Sequence, residues 1–213
     1  MSRPKGIPGA VLTGDIVNST SLSPPQEARL LEVLAGLLQE HPHEFYRGDS
    51  FQAYVKEPSK ALQLALACRA VAIEITTRED GAARGDIRIA IGIGEVTAPV
   101  HAPGSAKGEA FVLSGRELDK LQATERRLSI VSGNQMADIG FQTMADYLDS
   151  IFQEMTAKQA DVIANLLKGV TQQQLALSLE KAKSTISELA NAGRWPAIER
   201  ILQQYTKMTE LLS

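Results

Sequence analysis

The chain has 213 residues, of which 44 % are hydrophobic, 22 % charged and 5 % aromatic, a composition that places it among folded globular proteins and excludes disordered and fibrous classes. No apolar run reaches the roughly 20 residues that a membrane span needs, Met1 to Gly6 is not followed by a signal-peptide core, and the single Cys68 excludes an intramolecular disulfide framework and a multi-cysteine zinc site. A cytoplasmic protein with no membrane partner is expected, and a net charge of -3 argues against a dominant electrostatic nucleic-acid binder while leaving room for a small DNA-reading module.

Ala10 to Ile16 is a short apolar run that reads as a strand, and Pro24-Pro-Gln-Glu opens a helix with apolar positions Leu30, Leu31, Leu34, Leu37 and Leu38. Glu44-Phe-Tyr-Arg and Phe51 to Val55, joined by Gly48-Asp49-Ser50, read as a hairpin. A second helix is expected from Ser59 to Thr76. The isoleucine-rich alternation from Asp86 to Gly94 is the clearest strand, followed by a loop from Thr97 to Lys107, a helix from Glu109 to Thr124 and a strand from Arg127 to Ser132. This βαββαβαβ order predicts a sheet with helices packed on it. Beyond Gly133 the pattern is helical: a connecting helix over Gln142 to Gln153, then three or four short helices separated at Gly169, Lys181 and Gly193. From Glu154 onward there are 7 Lys/Arg and 6 Asp/Glu, so this part carries about +1 and the rest about -4, a mild asymmetry that points to two units.

Asp15 at the end of the first strand and Asp49 at the hairpin tip converge if these strands are neighbours. Two facing carboxylates repel unless a divalent cation lies between them, which suggests Mg²⁺ or Mn²⁺, with the amides of Asn18, Ser19 and Thr20 holding phosphate oxygens. The same spacing also fits two ordinary turn aspartates.

Taken together, Thr13-Gly-Asp-Ile-Val-Asn-Ser-Thr, Gly48-Asp49, Ile87-Arg-Ile-Ala-Ile-Gly-Ile-Gly-Glu-Val and Gly108-Glu-Ala-Phe-Val-Leu-Ser-Gly-Arg resemble, in order, four segments of class III adenylate/guanylate cyclases. The resemblance covers roughly residues 8 to 133. It implies a ferredoxin-like palm core, usually dimeric with nucleotide sites at the dimer interface. Asp15, Asp49 and the Ile16 carbonyl match the metal ligands, and Arg116 matches the arginine on the triphosphate in the transition state. Val112 stands where cyclases orient the ribose with asparagine, Phe45 where a lysine reads the purine, and Ser105 near the second purine-reading position. Loss of a preorganised polar contact of this kind costs about 10² or more in rate, so efficient cyclisation of ATP or GTP is not expected. Gly108-Glu-Ala-Phe-Val-Leu-Ser-Gly-Arg-Glu is also similar to a helix of SatD-like regulatory proteins, which join such a part to a C-terminal helix-turn-helix.

Thr156 and Thr171 read as helix caps, and Ala176, Leu179, Ile186 and Leu189 form the core pattern of a helix-turn-helix similar to those of sigma-factor-like and response-regulator domains. Lys183, Ser184, Thr185, Ser187 and Glu188 would then face the major groove of double-stranded DNA, with Lys181 and Arg194 on phosphates. Glu180 occupies a turn position usually given to glycine. A helical hairpin that only packs or dimerises has the same pattern. His41 and His43 are either solvated loop residues or imidazoles near the metal, Cys68 a core residue, Trp195 a staple to the helical core, and Glu109 an extra acid or a helix-start residue favoured by the macrodipole.

The expected fold is α+β, a ferredoxin-like (cyclase/palm) βαββαβ core followed by an all-α helix-turn-helix domain, divided as residues 1–135, a connecting helix over 136–154, and 155–213. The expected function is a homodimeric transcriptional regulator whose degenerate cyclase-like part binds a nucleotide or polyphosphate with Mg²⁺ or Mn²⁺. The alternatives are an active metal-dependent nucleotidyl cyclase or nucleotide phosphohydrolase, and a structural dimer without ligand.

Overall fold

The computed structural model describes residues 7–46, 48–76 and 85–212. Arg47 of the expected hairpin and the first six residues lie outside the described residues. The architecture is α+β, a mixed five-stranded sheet with helices on both faces. Its elements are β1 (Ile7–Val17), α1 (Pro24–Leu38), β2 (His43–Tyr46), β3 (Ser50–Val55), α2 (Ala61–Thr76), β4 (Asp86–Val96), α3 (Glu109–Gln122) and β5 (Leu128–Val131), followed by α4 (Gln135–Glu154), α5 (Ala157–Leu167), α6 (Gln172–Ser178), α7 (Lys183–Ala192) and α8 (Trp195–Leu211).

The strands lie in the order β2-β3-β1-β4-β5, antiparallel throughout except for the parallel β4–β5 pair. β1 is therefore central, and its period of two divides its side chains between the layers. Ala10, Leu12 and Ile16 join Leu30, Leu34 and Leu38 of α1 and the apolar face of α2. Val11 turns the other way, toward Ala110 of α3, and Thr13 also faces that helix, its Oγ1 donating to Ser114 Oγ at 2.8 Å. Gly92 of β4 lets α3 lie directly on the sheet, since a Cβ there would stand 2.6 Å from the Ser114 nitrogen.

Several boundaries differ from the sequence expectations. β1 continues two residues past Asp15, and Pro58–Lys60 forms a 3-10 turn before α2 begins. α4 begins at Gln135 rather than Gln142, because the Asn134 side chain accepts from the amides of Met136 and Ala137 and caps the helix. Its first turns carry the exposed Met136 and Ile139, which break the apolar periodicity. No helix among the described residues is long and apolar enough to cross a membrane.

The C-terminal helices share the sheet's core. Phe141, Leu148 and Phe152 of α4, Ile163 of α5, Ile186 of α7 and Tyr205 of α8 belong to the cluster that contains α1 and α2. The Gln63 side chain of α2 donates to the Leu167 carbonyl at 2.6 Å, and the Tyr205 hydroxyl donates to the Pro58 carbonyl at 2.9 Å.

A fully buried arginine ties these layers. Arg69 of α2 bonds Asp86 at the start of β4 through Nε at 3.1 Å and Nη2 at 2.7 Å, pairs with Asp149 of α4 through Nη1 at 2.8 Å, and lies 5.1 Å from the Phe152 ring centroid. Removing one partner of a buried ionic group leaves uncompensated charge and costs about 3–5 kcal/mol. Arg69→Leu is expected to lose stability of that order in urea unfolding, whereas Arg29→Ala, which breaks the exposed pair with Glu74, changes it by less than about 1 kcal/mol.

Candidate functional site

In the sheet register, Asp15 lies opposite Ser50 of β3 on one side and Arg88 of β4 on the other. The hairpin turn is reached through Gly48, whose φ of 85° suits glycine. It brings Asp49 against β1, and the Ile16 N–H donates to the Asp49 carbonyl at 2.8 Å. Asp15 and Asp49 thus come together at one end of the sheet, with Ile16 beside them.

The two carboxylates are held differently. Asp15 Oδ2 accepts from Arg88 Nη1 at 3.0 Å, while Asp15 Oδ1 is enclosed without a hydrogen-bond partner among the described residues. Among the described residues the Asp49 oxygens accept long bonds, from Ser19 Oγ at 3.3 Å and Ser50 Oγ at 3.3 Å. Burial raises the Asp15 carboxyl above its ordinary range; Arg88 pulls it back, the nearby negative Asp49 adds to the rise, and Arg127 opposes it. Asn18, in the left-handed conformation at φ 57°, starts the 3-10 turn Ser19–Ser21. Ser19 links that turn to Asp49, so Asn18, Ser19 and Thr20 flank the carboxylates.

No group of three or more His, Cys, Asp or Glu side chains that could hold a metal ion occurs among the described residues. Two carboxylates, one with an unpartnered buried oxygen, nevertheless fit Mg²⁺ or Mn²⁺ of the kind that takes one or two protein carboxylates and completes its shell with water and phosphate oxygens. Asp15 and Asp49, with the Ile16 carbonyl, are the residues that would hold it.

Other candidates lie elsewhere. Arg116 is exposed, because α3 turns Ala110, Ser114, Leu118 and Leu121 inward and leaves Arg116 and the half-exposed Val112 on its outer side. Among the described residues the ion pair of Asp15 is with Arg88 rather than with Arg116. Phe45 packs on the core, its ring centroid 6.0 Å from that of Phe51, and Ser105 lies on an exposed 3-10 turn strapped to β2 by the Gly104 N–H to Glu44 bond of 2.8 Å. His43 begins β2, at the far end from the turn, and its Nδ1 lies 2.9 Å from the His41 carbonyl oxygen. Glu109 adjoins Gly94 and Gly133 at the opposite end of the sheet from Asp15. Sequence reasoning gave no role to Arg88 or Arg127. The available signal was a cation on the polar side of a strand otherwise built of isoleucine.

In the helical region, Thr171 caps α6 reciprocally with Gln174. A four-residue turn, Leu179 to Ala182, leads to α7, and the Lys181 N–H donates back to the Ala176 carbonyl at 3.0 Å. Ile186 and Ala190 are buried, and Leu179, Leu189 and Trp195 pack at their margin. Lys181, Lys183, Ser184, Thr185, Glu188 and Arg194 are exposed, and Ser187 is half-buried.

No protein-family model and no curated protein matches the chain. Among solved structures it is similar to a bacterial light-regulated adenylyl cyclase, with 11% identity and a TM-score of 0.40 over 61% of this chain and 44% of that one, so it spans less than half that protein's length. It is also similar to the active GGEEF domain of a diguanylate cyclase from Vibrio cholerae, with 18% identity and a TM-score of 0.41 over 59% of this chain and 83% of that one.

Glu180 adopts φ 51°, a left-handed conformation that costs a non-glycine residue about 1 kcal/mol or more. Glu180→Gly is expected to stabilise the protein by about that amount in urea unfolding. A carboxyl with a raised folded pKa, as Asp15 has, favours the folded state at low pH, and the advantage is lost as pH rises through that pKa. Without divalent ions, Asp15→Asn is therefore expected to melt above the wild type at pH 7, with the gap closing as the pH falls toward the ordinary carboxyl value of 3.8; a lower melting temperature at pH 7 would mean that the Arg88 pair outweighs burial.

Proposed function

We propose that this chain is a ligand-responsive regulator, in which a cyclase-like sheet binds a nucleotide or polyphosphate with Mg²⁺ or Mn²⁺ and the α6–α7 unit is a helix-turn-helix that binds double-stranded DNA. The carrying observation is the convergence of Asp15 and Asp49, with one Asp15 oxygen enclosed and unpartnered. In this reading residues 1–135 are the sensor, 136–154 the connecting helix and 155–213 the DNA-binding part. The β2-β3-β1-β4 order, with α1 and α2 on one face, supports a ferredoxin-like core for the sensor.

The chemistry divides between the residues. Asp15 and Asp49 hold the cation, which when bound neutralises phosphate charge, and the amides of Asn18, Ser19 and Thr20 receive phosphate oxygens. Phe45 is apolar and packs against the core, and Val112 offers no hydrogen bond, so ribose and purine are not oriented as cyclisation requires. Lys183, Ser184, Thr185, Ser187 and Glu188 read base edges, while Lys181 and Arg194 take phosphates. Arg116, exposed on the outer side of α3, serves a second copy of the chain in this reading. The retained carboxylate pair also supports the alternative, a metal-dependent cyclase or phosphohydrolase, because such chemistry needs chiefly the carboxylates and a positioned phosphate chain.

Thermal unfolding with ATP, GTP and inorganic tripolyphosphate, each with and without Mn²⁺, tests the first half. A ligand at a hundredfold excess over its Kd stabilises by about 2.7 kcal/mol, and the shift is expected to require metal and to vanish in Asp49→Asn. Absence of any shift would overturn the sensor and the enzyme together; turnover abolished in Asp49→Asn would favour the enzyme. For the second half, Lys183→Ala and Thr185→Ala are expected to weaken DNA binding, Thr185→Ala reducing discrimination at one base pair by about 1–3 kcal/mol in a binding-site selection assay.

A further inference from the structure

Across the sheet, one row of side chains continues past the carboxylates. Asp15 pairs in register with Arg88, and Arg127 stands next to Arg88 where β4 and β5 begin their parallel pairing at Ile89 and Leu128. Residues directly opposite one another on neighbouring strands project to the same face. Arg88 spends Nη1 on Asp15. Arg127 is half-buried, and its Nε and Nη1 are enclosed without a hydrogen-bond partner among the described residues. Its side chain is close enough to Asp15 to act on that carboxyl, yet makes no ion pair with it among the described residues.

Its backbone is fixed on both sides. The Arg127 N–H donates to Asp149 Oδ2 at 2.9 Å and its carbonyl accepts from the Ile89 N–H at 2.9 Å. A guanidinium whose backbone is clamped and whose Nε and Nη1 lack acceptors among the described residues is prepared for an anion from outside the chain, because enclosed unsatisfied donors are costly and the fork of the guanidinium matches phosphate oxygens.

We propose that Arg127 is a phosphate-binding residue of this site, taking oxygens of the ligand's phosphate chain beside the cation held by Asp15 and Asp49. The proposal rests on the reading of that carboxylate pair as a cation and polyphosphate site. The charge balance supports it: two aspartates and two arginines sum to zero, so a bound divalent cation leaves an excess of two positive charges that a polyphosphate offsets. Cation and polyphosphate therefore bind each other's complex more tightly than the free protein.

The test is calorimetric titration of the full chain with inorganic tripolyphosphate and with ATP, each with Mn²⁺, on wild type, Arg127→Gln, Arg127→Lys and Asp15→Asn. Loss of a charge-assisted contact predicts that Arg127→Gln binds both ligands about 10- to 100-fold more weakly and by the same factor, since the contact is to phosphate and not to base or sugar. Arg127→Lys, which keeps the charge and loses the fork, falls between. Unliganded melting of the variants checks the fold, and if Arg127→Gln fails to fold the comparison is carried by Arg127→Lys, expected weaker than wild type for both ligands. Wild-type affinity in the Arg127 variants, together with loss in Asp15→Asn, overturns the role of Arg127 and leaves the cation site standing. Weakening toward ATP alone also overturns it. No binding of either ligand by the wild type overturns the site and the role of Arg127 together.

Discussion

The Arg69 guanidinium is the point on which the layers of this protein depend. It lies fully buried among α2, the start of β4 and α4, with a carboxylate from each of the last two. Two aspartates and one arginine leave an unbalanced negative charge in the interior, which is tolerable only because further donors complete it: the Ile87 N–H bonds Asp86, and the Arg127 N–H and the Gln153 side chain bond Asp149. A buried ionic group of this kind contributes little net stability compared with an apolar replacement, but it admits few alternative arrangements. It fixes the end of the sheet at which Asp15, Arg88 and Arg127 are aligned, and attaches α4 to that end.

The carboxylates themselves are a local compromise. Asp15 is enclosed more than a charge prefers, and its neighbour Asp49 repels it. Arg88 answers one oxygen and nothing among the described residues answers the other. Polar groups left unsatisfied in a well-packed structure are uncommon, and they gather where an external ligand completes the set.

Much of the order of elements was legible from periodicity. Alternation in Asp86 to Gly94 and the proline-led start of the first helix gave β4 and α1, because both carry their apolar residues on one face. Asp49 was legible as a turn residue through Gly48. The start of α4 was not, since Met136 and Ile139 put apolar side chains on its outer surface and only the Asn134 cap marks the boundary. Arg88 and Arg127 were passed over for a different reason. Their importance lies in cross-strand register, which a single strand's sequence does not contain. The outward placement of Arg116 follows from the helical phase set by Ala110, Ser114 and Leu118, and only packing against the sheet decides which side of α3 that phase turns inward.

The seating of α5 on α2 has a geometrical consequence. Met155, at the junction of α4 and α5, is buried, and Gln63 and Tyr205 bind the helical region back to the sheet. The α6–α7 unit, mounted in this way, shares one hydrophobic core with the sheet. In the proposed regulator, a ligand signal would then reach DNA as a change in the distance and angle between two whole copies. For such a two-fold pair the reading frame would be the helical repeat of DNA, about 34 Å per turn, and the response would be set by whether two copies span whole turns or fall between them.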